Sequence, residues 1–359
     1  MLRVAYILNR RDDWIWFIGL PFVAIAVAFA SQQWLSVVAV ASFGLWVTIP
    51  HHFAGWLKAY GHPEDRARWR VPLIVGPVSI FLVGWAGVAW APMTLFLVIW
   101  AWDHQHSIMQ QYGLARIYDF KAGADSPAYG RFDLALNWVL YLNLLIVAPV
   151  FAEFWVRELF RFGVRIDAAT LELVQSASAS LTIGFVIAYA AHAAWSVRQG
   201  RTLNPMKFLF IGASYFLWYS TAWWLASVLL ITVAHGLMHG VQYIVMVYSY
   251  LRRRGGDARS VAVWLTQPRH LIYFLAACLF YAVLYQIITN QPMATFGFGL
   301  IDYADEYSDS IDALGKPGLS EVASYELFAT LVIHCSALVH YYVDSFIWKV
   351  SDTRLQKGL

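Results

Sequence analysis

Two histidines one helical turn apart lie in the middle of a long apolar stretch. The run from about Trp224 to Leu251 contains no Asp, Glu, Lys or Arg, and it carries the motif His235-Gly-Leu-Met-His239. Residues four apart stack on one face of a helix, so the two imidazoles point to the same side. A buried imidazole pair at bilayer depth needs a partner, and a metal ion is a common one. The alternative is that both rings only hydrogen-bond to neighbouring helices.

Three further apolar segments carry histidines beside other polar residues. They contain Pro50-His51-His52-Phe53, Trp102-Asp103-His104-Gln105-His106, and His334 followed by His340-Tyr341-Tyr342-Val343-Asp344. Proline interrupts a helix, and a broken helix within a membrane is tolerated where it lines a polar cavity. His340 and Asp344 are one turn apart, so they share a helical face. Each segment could therefore present polar groups to a common interior.

Together these residues form a predicted metal centre. If the four segments share one membrane orientation, each group lies roughly 4–16 residues, or about 6 to 24 Å, from the same end of its helix. The predicted metal ligands are His51, His52, His104, His106, His235, His239 and His340. The residues predicted to support them through hydrogen bonds are Asp103, Gln242, His334 and Asp344. His62 and His270 flank spans in loops and are expected at the surface.

Histidine together with Asp or Glu is the ligand set of non-haem iron, and three or four protein ligands leave positions open for dioxygen. The predicted cofactor is therefore Fe(II). The eight histidines in these four segments, with two aspartates, suffice for one ion or for two. A haem held axially by two of the histidines is the alternative cofactor.

Composition places the chain among integral membrane proteins. Of its 359 residues 60% are hydrophobic and only 13% are charged, and its mean hydropathy is +0.55. Soluble domains carry about 25% charged residues. The 18 Trp and 20 Tyr are typical of the aromatic belts at membrane interfaces. The basic residues are dispersed, so nucleic-acid binding is not expected.

The predicted fold is an all-α, polytopic bundle of about ten transmembrane helices forming a single transmembrane domain over residues 1–359. The predicted spans are Trp14–Ala30, Trp34–Leu57, Val71–Trp90, Met93–Tyr112, Phe132–Phe151, Val174–Val197, Phe208–Trp223, Leu225–Leu251, Leu271–Thr289 and Ser324–Trp348. Lys and Arg follow the even-numbered spans and precede the first, which predicts that both termini are cytoplasmic. The loop at 290–323 is acidic and is predicted to be extracytoplasmic.

The order of the histidine motifs resembles that of the integral-membrane β-carotene dioxygenases of the Brp/Blh type. In that family a Pro-His element in an early helix precedes another essential histidine and a downstream H-x-x-x-H pair. Pro50-His51, then His104 or His106, then His235 and His239 follow this order. The resemblance implies that these histidines hold a single catalytic iron. The match covers only these short motifs.

The sequence thus predicts a non-haem iron oxygenase or dioxygenase in the bilayer of a bacterial inner (cytoplasmic) membrane. Its expected partners are dioxygen, a lipid-soluble substrate such as a carotenoid, another isoprenoid or an acyl chain, and an electron-donor protein. A di-iron lipid hydroxylase or desaturase-like enzyme is an alternative. A haem-binding electron-transfer protein and an ion transporter are further alternatives, since buried ionisable residues also mark ion pathways.

Overall fold

The structure is a computed structural model that describes residues 1–124, 127–256, 260–288 and 324–359. The predicted acidic loop at 290–323 lies outside these described residues. In chain order the helices are α1 (Arg10–Trp34), α2 (Val37–Thr48), α3 (Pro50–Tyr60), α4 (Pro63–Arg68), α5 (Arg70–Trp90), α6 (Pro92–Ala122), α7 (Pro127–Val147), α8 (Pro149–Arg161), α9 (Ala168–Arg198), α10 (Pro205–Trp224), α11 (Val228–Arg254), α12 (Val261–Leu265), α13 (Leu271–Ile288), α14 (Ser324–Ile347) and α15 (Thr353–Gln356). These helices establish the all-α class.

Six helices in the described residues are long and apolar enough to cross a membrane. They are Arg10–Trp34, Arg70–Trp90, Gly130–Val147, Ala168–Arg198, Val228–Arg254 and Pro268–Ile288. The large apolar side chains exposed on α5 and α9 fit a lipid environment, because lipid takes the place of protein contacts there. The chain is therefore a helical protein suited to a membrane, and the count of ten spans stays a prediction.

Proline accounts for two of the helix boundaries. The second predicted span is broken, because α2 ends at Thr48 and α3 begins at Pro50. The fifth predicted span reaches Phe151, but α7 ends at Val147 and Pro149 starts a new helix. A proline is favoured in the first turn of a helix, where its missing N–H costs nothing.

The chain folds into two compact units. The first comprises Met1–Trp34 and Ile108–Met238, and the second comprises Leu35–Ser107 and His239–Leu359. Helices α6 and α11 each contribute residues to both units.

A buried ionic network ties α6, α7 and α10 together in the first unit. The Nζ of Lys207 lies 2.9 Å from Asp119 Oδ2 and 3.0 Å from Asp133 Oδ2. Arg116 donates to Asp119 at 2.7 Å and to Asp133 at 3.4 Å, and Tyr189 donates its hydroxyl to Asp133 at 2.6 Å. Two cations thus face two carboxylates, and this balance lets a polar network persist in an apolar bundle.

Small residues bring helices together in the second unit. Gly76 and Gly84 of α5 pack against Tyr342 and Cys335 of α14. A Cβ atom at either glycine would overlap its neighbour, so only glycine permits this approach. Close helix contact through small residues is typical of membrane proteins, where burial of apolar surface provides no net drive for association.

Candidate metal centre

Five imidazoles converge in the second unit. They belong to His51 and His52 of α3, His106 of α6, His239 of α11 and His340 of α14, and none exposes more than 6% of its surface. The ring of His340 lies 4.8 Å from that of His51, 4.5 Å from that of His52 and 5.1 Å from that of His106. The ring of His239 lies 5.0 Å from that of His51 and 5.2 Å from that of His106. We call these five residues the histidine cluster.

The helix break at Pro50 orients His51. In a regular helix the amide of His52 would donate to the carbonyl of Thr48, but here it donates to the carbonyl of Ile49 at 3.1 Å. Such a tightened turn is common at helix ends and beside proline. The Thr48 carbonyl instead accepts a hydrogen bond from Nδ1 of His51. Because Nδ1 carries the hydrogen, Nε2 of His51 keeps its lone pair for a ligand.

His51, His239 and His340 form the first group that could hold a metal ion, since one ligand atom from each lies within 4.8 Å of the others. Nε2 of His51 and Nε2 of His340 are 3.1 Å apart. Metal–nitrogen bonds of about 2.1 Å put two ligand nitrogens about 3.0 Å apart at a right angle and about 3.4 Å apart at a tetrahedral angle. The observed separation suits two ligands of one ion. It also suits a single N–H···N hydrogen bond between these two rings.

His106, His340 and Asp344 form a second group under the same distance limit. Oδ2 of Asp344 lies 3.7 Å from Nε2 of His340. This is the same nitrogen that faces His51, so both groups meet at one atom. Asp344 was predicted to support the ligands, and its position makes it a candidate ligand as well.

His52 packs against both His340 and His51. The two rings are stacked at an interplanar angle of 26°, and Nδ1 of His52 is buried with no hydrogen-bond partner within the described residues. A buried polar nitrogen without a partner is destabilising. His52 is therefore a further candidate ligand.

Glycines allow the helices of the cluster to approach. A Cβ atom on Gly55 of α3 would lie 3.0 Å from the hydroxyl of Tyr243 and 3.1 Å from Nδ1 of His340. A Cβ atom on Gly240 of α11 would lie 2.7 Å from the carbonyl oxygen of Val47. Both contacts are tighter than ordinary packing permits, so these positions set the spacing between α2, α3, α11 and α14.

Two tyrosine–aspartate pairs adjoin the cluster. Tyr341 stacks on His106 at 4.6 Å and donates its hydroxyl to Asp103 at 2.7 Å. Asp103 thus reaches a histidine through a tyrosine rather than directly. Tyr243 donates its hydroxyl to Asp344 at 2.6 Å. Neither tyrosine was predicted to have a role, although Tyr243 follows His239 by four residues and so shares its helical face.

Six predicted residues belong to neither group; of these, His52 stacks on His340 and Asp103 accepts a hydrogen bond from Tyr341. His235 belongs to the first unit, where its ring lies 5.7 Å from Trp218. Nδ1 of His104 donates to the carbonyl of Trp100 at 2.7 Å. The remaining two are Gln242 and His334.

Outside the cluster, the prediction that His62 lies at the surface is wrong. Its residue exposure is only 4%. Burial lowers the pKa of His62, and the nearby guanidinium of Arg254 lowers it further. The carboxylate of Asp65, which accepts a hydrogen bond from Arg254, acts in the opposite direction.

Comparison with protein-family models, with characterised proteins and with solved structures finds no match to this chain. The similarity to the Brp/Blh-type dioxygenases therefore rests on the histidine motifs alone and stays a prediction. The histidine cluster is the feature of the structure from which a function can be inferred.

Proposed function

We propose that this protein is an integral-membrane, non-haem iron oxygenase that acts on a lipid-soluble substrate. The observation that carries the proposal is the convergence of His51, His239 and His340, from three helices, within 4.8 Å. Their imidazole nitrogens would act together as ligands of one ion. A nitrogen-rich ligand set with one carboxylate suits iron, and it leaves coordination positions for dioxygen.

One ion per chain is the stoichiometry we propose. A ring nitrogen has a single lone pair, and the two candidate groups both face Nε2 of His340. They therefore describe one ligand field, in which His106 and Asp344 lie beside the first three histidines. This favours a mononuclear centre over the di-iron alternative. Haem is disfavoured because the His51 and His340 rings are 4.8 Å apart, which leaves no room for a porphyrin between them.

When bound, iron would supply the redox chemistry, and the protein supplies its geometry and surroundings. The chain holds the ligands in place through the Thr48 carbonyl and through the close helix contacts at Gly55 and Gly240. Burial of the five rings excludes bulk water. A carotenoid, another isoprenoid or an acyl chain would enter sideways from the bilayer. We also propose the ten-span arrangement with cytoplasmic termini in a bacterial inner membrane, as predicted from the positive charges.

Metal analysis of purified protein from iron-supplemented cells tests the proposal. We expect about one iron per chain, which is lost in His239→Ala and in His340→Ala. His235→Ala is the matched control, because it removes the same ring one turn earlier on α11 and outside both groups. His104→Ala is the corresponding control for His106→Ala on α6.

Three results would overturn the proposal: a protein without stoichiometric transition metal, full iron content in His239→Ala, or equal loss in His235→Ala. A sharp Soret band would instead indicate haem, and ion flux in proteoliposomes that depends on His106 would favour transport. Oxygen uptake by the iron-loaded protein with β-carotene or a long-chain acyl lipid in micelles then distinguishes an oxygenase from a metal carrier.

A further inference from the structure

Tyr243 occupies a hydrogen-bonded position between the histidine cluster and the end of α14. Its hydroxyl donates to Oδ1 of Asp344 at 2.6 Å and accepts the indole N–H of Trp348 at 3.1 Å. Its ring lies 5.4 Å from that of His340 and 5.5 Å from that of His51. The residue is buried. A buried hydroxyl is stable in this position because it donates one hydrogen bond and accepts another.

The two oxygens of Asp344 face different partners. Oδ1 accepts the hydroxyl of Tyr243, while Oδ2 lies 3.7 Å from Nε2 of His340. His340 and Asp344 are four residues apart and share one face of α14, and Trp348 follows four residues later, directly after the helix ends. Tyr243 contacts all three from α11. Oδ2 of Asp344 is therefore directed at the histidine cluster, while Oδ1 is hydrogen-bonded to Tyr243.

We propose that Tyr243 is a positioning residue that holds Asp344 as a one-oxygen ligand and so keeps a coordination position open. A carboxylate binds a metal through one oxygen or through both. The hydrogen bond from Tyr243 engages Oδ1, and the bond from Trp348 fixes the direction of the tyrosine hydroxyl. The position thus kept free is where dioxygen or substrate would bind. This inference rests on the proposed function, since it concerns the same centre.

A packing role alone does not explain Tyr243. The aromatic ring would fill the same space in a phenylalanine, whereas the hydroxyl makes both of the polar contacts. Tyr60, in the same unit, provides the comparison, because its hydroxyl donates to a backbone carbonyl, that of Leu73, at 2.9 Å. Tyr60 therefore has an equivalent hydrogen bond that does not involve a candidate ligand.

The test uses the full-length protein loaded with Fe(II) and nitric oxide as the probe, since nitric oxide binds an open position on Fe(II) and gives an EPR signal. We expect Tyr243→Phe to keep about one iron per chain and to lose nitric oxide affinity by about tenfold or more, the usual size of effects from partners of metal ligands. Released from its hydrogen bond, Asp344 binds through both oxygens and closes the position. Tyr60→Phe is the matched control and should behave as the unmodified protein.

Asp344→Asn separates a positioning role from a structural one. Asp344→Asn removes the carboxylate whose binding mode Tyr243 would control, so its own iron content and nitric oxide affinity are the reference for the double variant. Adding Tyr243→Phe to Asp344→Asn should then change nothing. Unchanged affinity and an unchanged EPR signal in Tyr243→Phe would overturn the inference, as would the same loss in Tyr60→Phe. If the unmodified protein binds no iron, the proposed function fails and the inference falls with it, whereas normal iron with unaltered nitric oxide binding refutes the inference alone.

Discussion

Replacing Lys207 by methionine would leave the ionic network of the first unit with one cation for two carboxylates. Methionine keeps the length and most of the volume of the lysine stem, so the lost charge is the main perturbation. Lys207 lies 2.9 Å from Asp119 and 3.0 Å from Asp133 and exposes none of its surface. Arg116, which pairs with both acids, would then face two carboxylates. Removing one partner of a buried ion pair typically costs about 3–5 kcal/mol.

The chemistry of the carboxylates sets an upper limit on this cost. A proton taken up by one aspartate restores neutrality, and protonating a group of ordinary pKa near 3.9 costs about 4 kcal/mol at pH 7 and about 1.5 kcal/mol at pH 5. We therefore expect Lys207→Met to lower the free energy of unfolding by about 3–4 kcal/mol at pH 7. The loss should shrink as the pH falls, because the proton becomes easier to supply.

Equilibrium unfolding in mixed detergent micelles at pH 7 and pH 5 measures both effects. The matched control is Lys207→Met combined with Asp119→Asn, which leaves Arg116 opposite Asp133 at 3.4 Å and restores the balance of charge. This double variant should regain most of the lost stability and show little pH dependence. A single variant as stable as the unmodified protein, or a double variant less stable than the single one, would refute the reasoning.

Two further predictions concern the second unit. Gly55→Ala should lower both the iron content and the stability of the protein, because its Cβ atom would lie 3.1 Å from Nδ1 of His340. Metal analysis measures the loss of iron. The control is Gly212→Ala in α10, where an added Cβ atom would meet no neighbouring part of the described structure within 4 Å. Alanine should stabilise this helix by about 1 kcal/mol. The lowered pKa of His62, caused by burial and by Arg254, predicts that its contribution to stability is complete above its ordinary pKa of 6.5 and is lost as the pH falls below it. Unfolding measured at pH 7.5 and pH 5.5 should show this loss in the unmodified protein and a smaller one in His62→Gln.

Hydropathy and proline placed most helices, because both act locally. The broken second span follows from them, whereas the boundary between α10 and α11 lies in an apolar run without a proline or a charged residue to mark it. The buried charge pairs could not be predicted from local sequence in this way. Lys207, Asp119 and Asp133 each lie at or beyond the end of a predicted span, where they would be taken for solvated residues. Their pairing depends on contacts between residues up to 88 positions apart along the chain.

The histidine motifs identified which helices to consider, but not which rings meet. His104 and His106 are two residues apart and so lie on nearly opposite faces of α6, and only a partner helix determines which of them faces the interior. The structure brings in His106. His235 and His239 share a face of α11, yet they fall in different units. Whether His51, His239 and His340 bind a metal stays a prediction that the geometry supports.

The glycine contacts have a consequence for the energetics of binding. Gly55 and Gly240 allow α2, α3, α11 and α14 to pack in close contact. The hydrogen bond from His51 to the Thr48 carbonyl fixes the orientation of that ring. The donor atoms therefore lose little freedom when they capture an ion, so the entropic penalty that opposes binding in flexible sites is small here. Unlike a small zinc domain, which folds only around its metal, this bundle would offer a preorganised receptor whose affinity comes almost wholly from the coordination bonds.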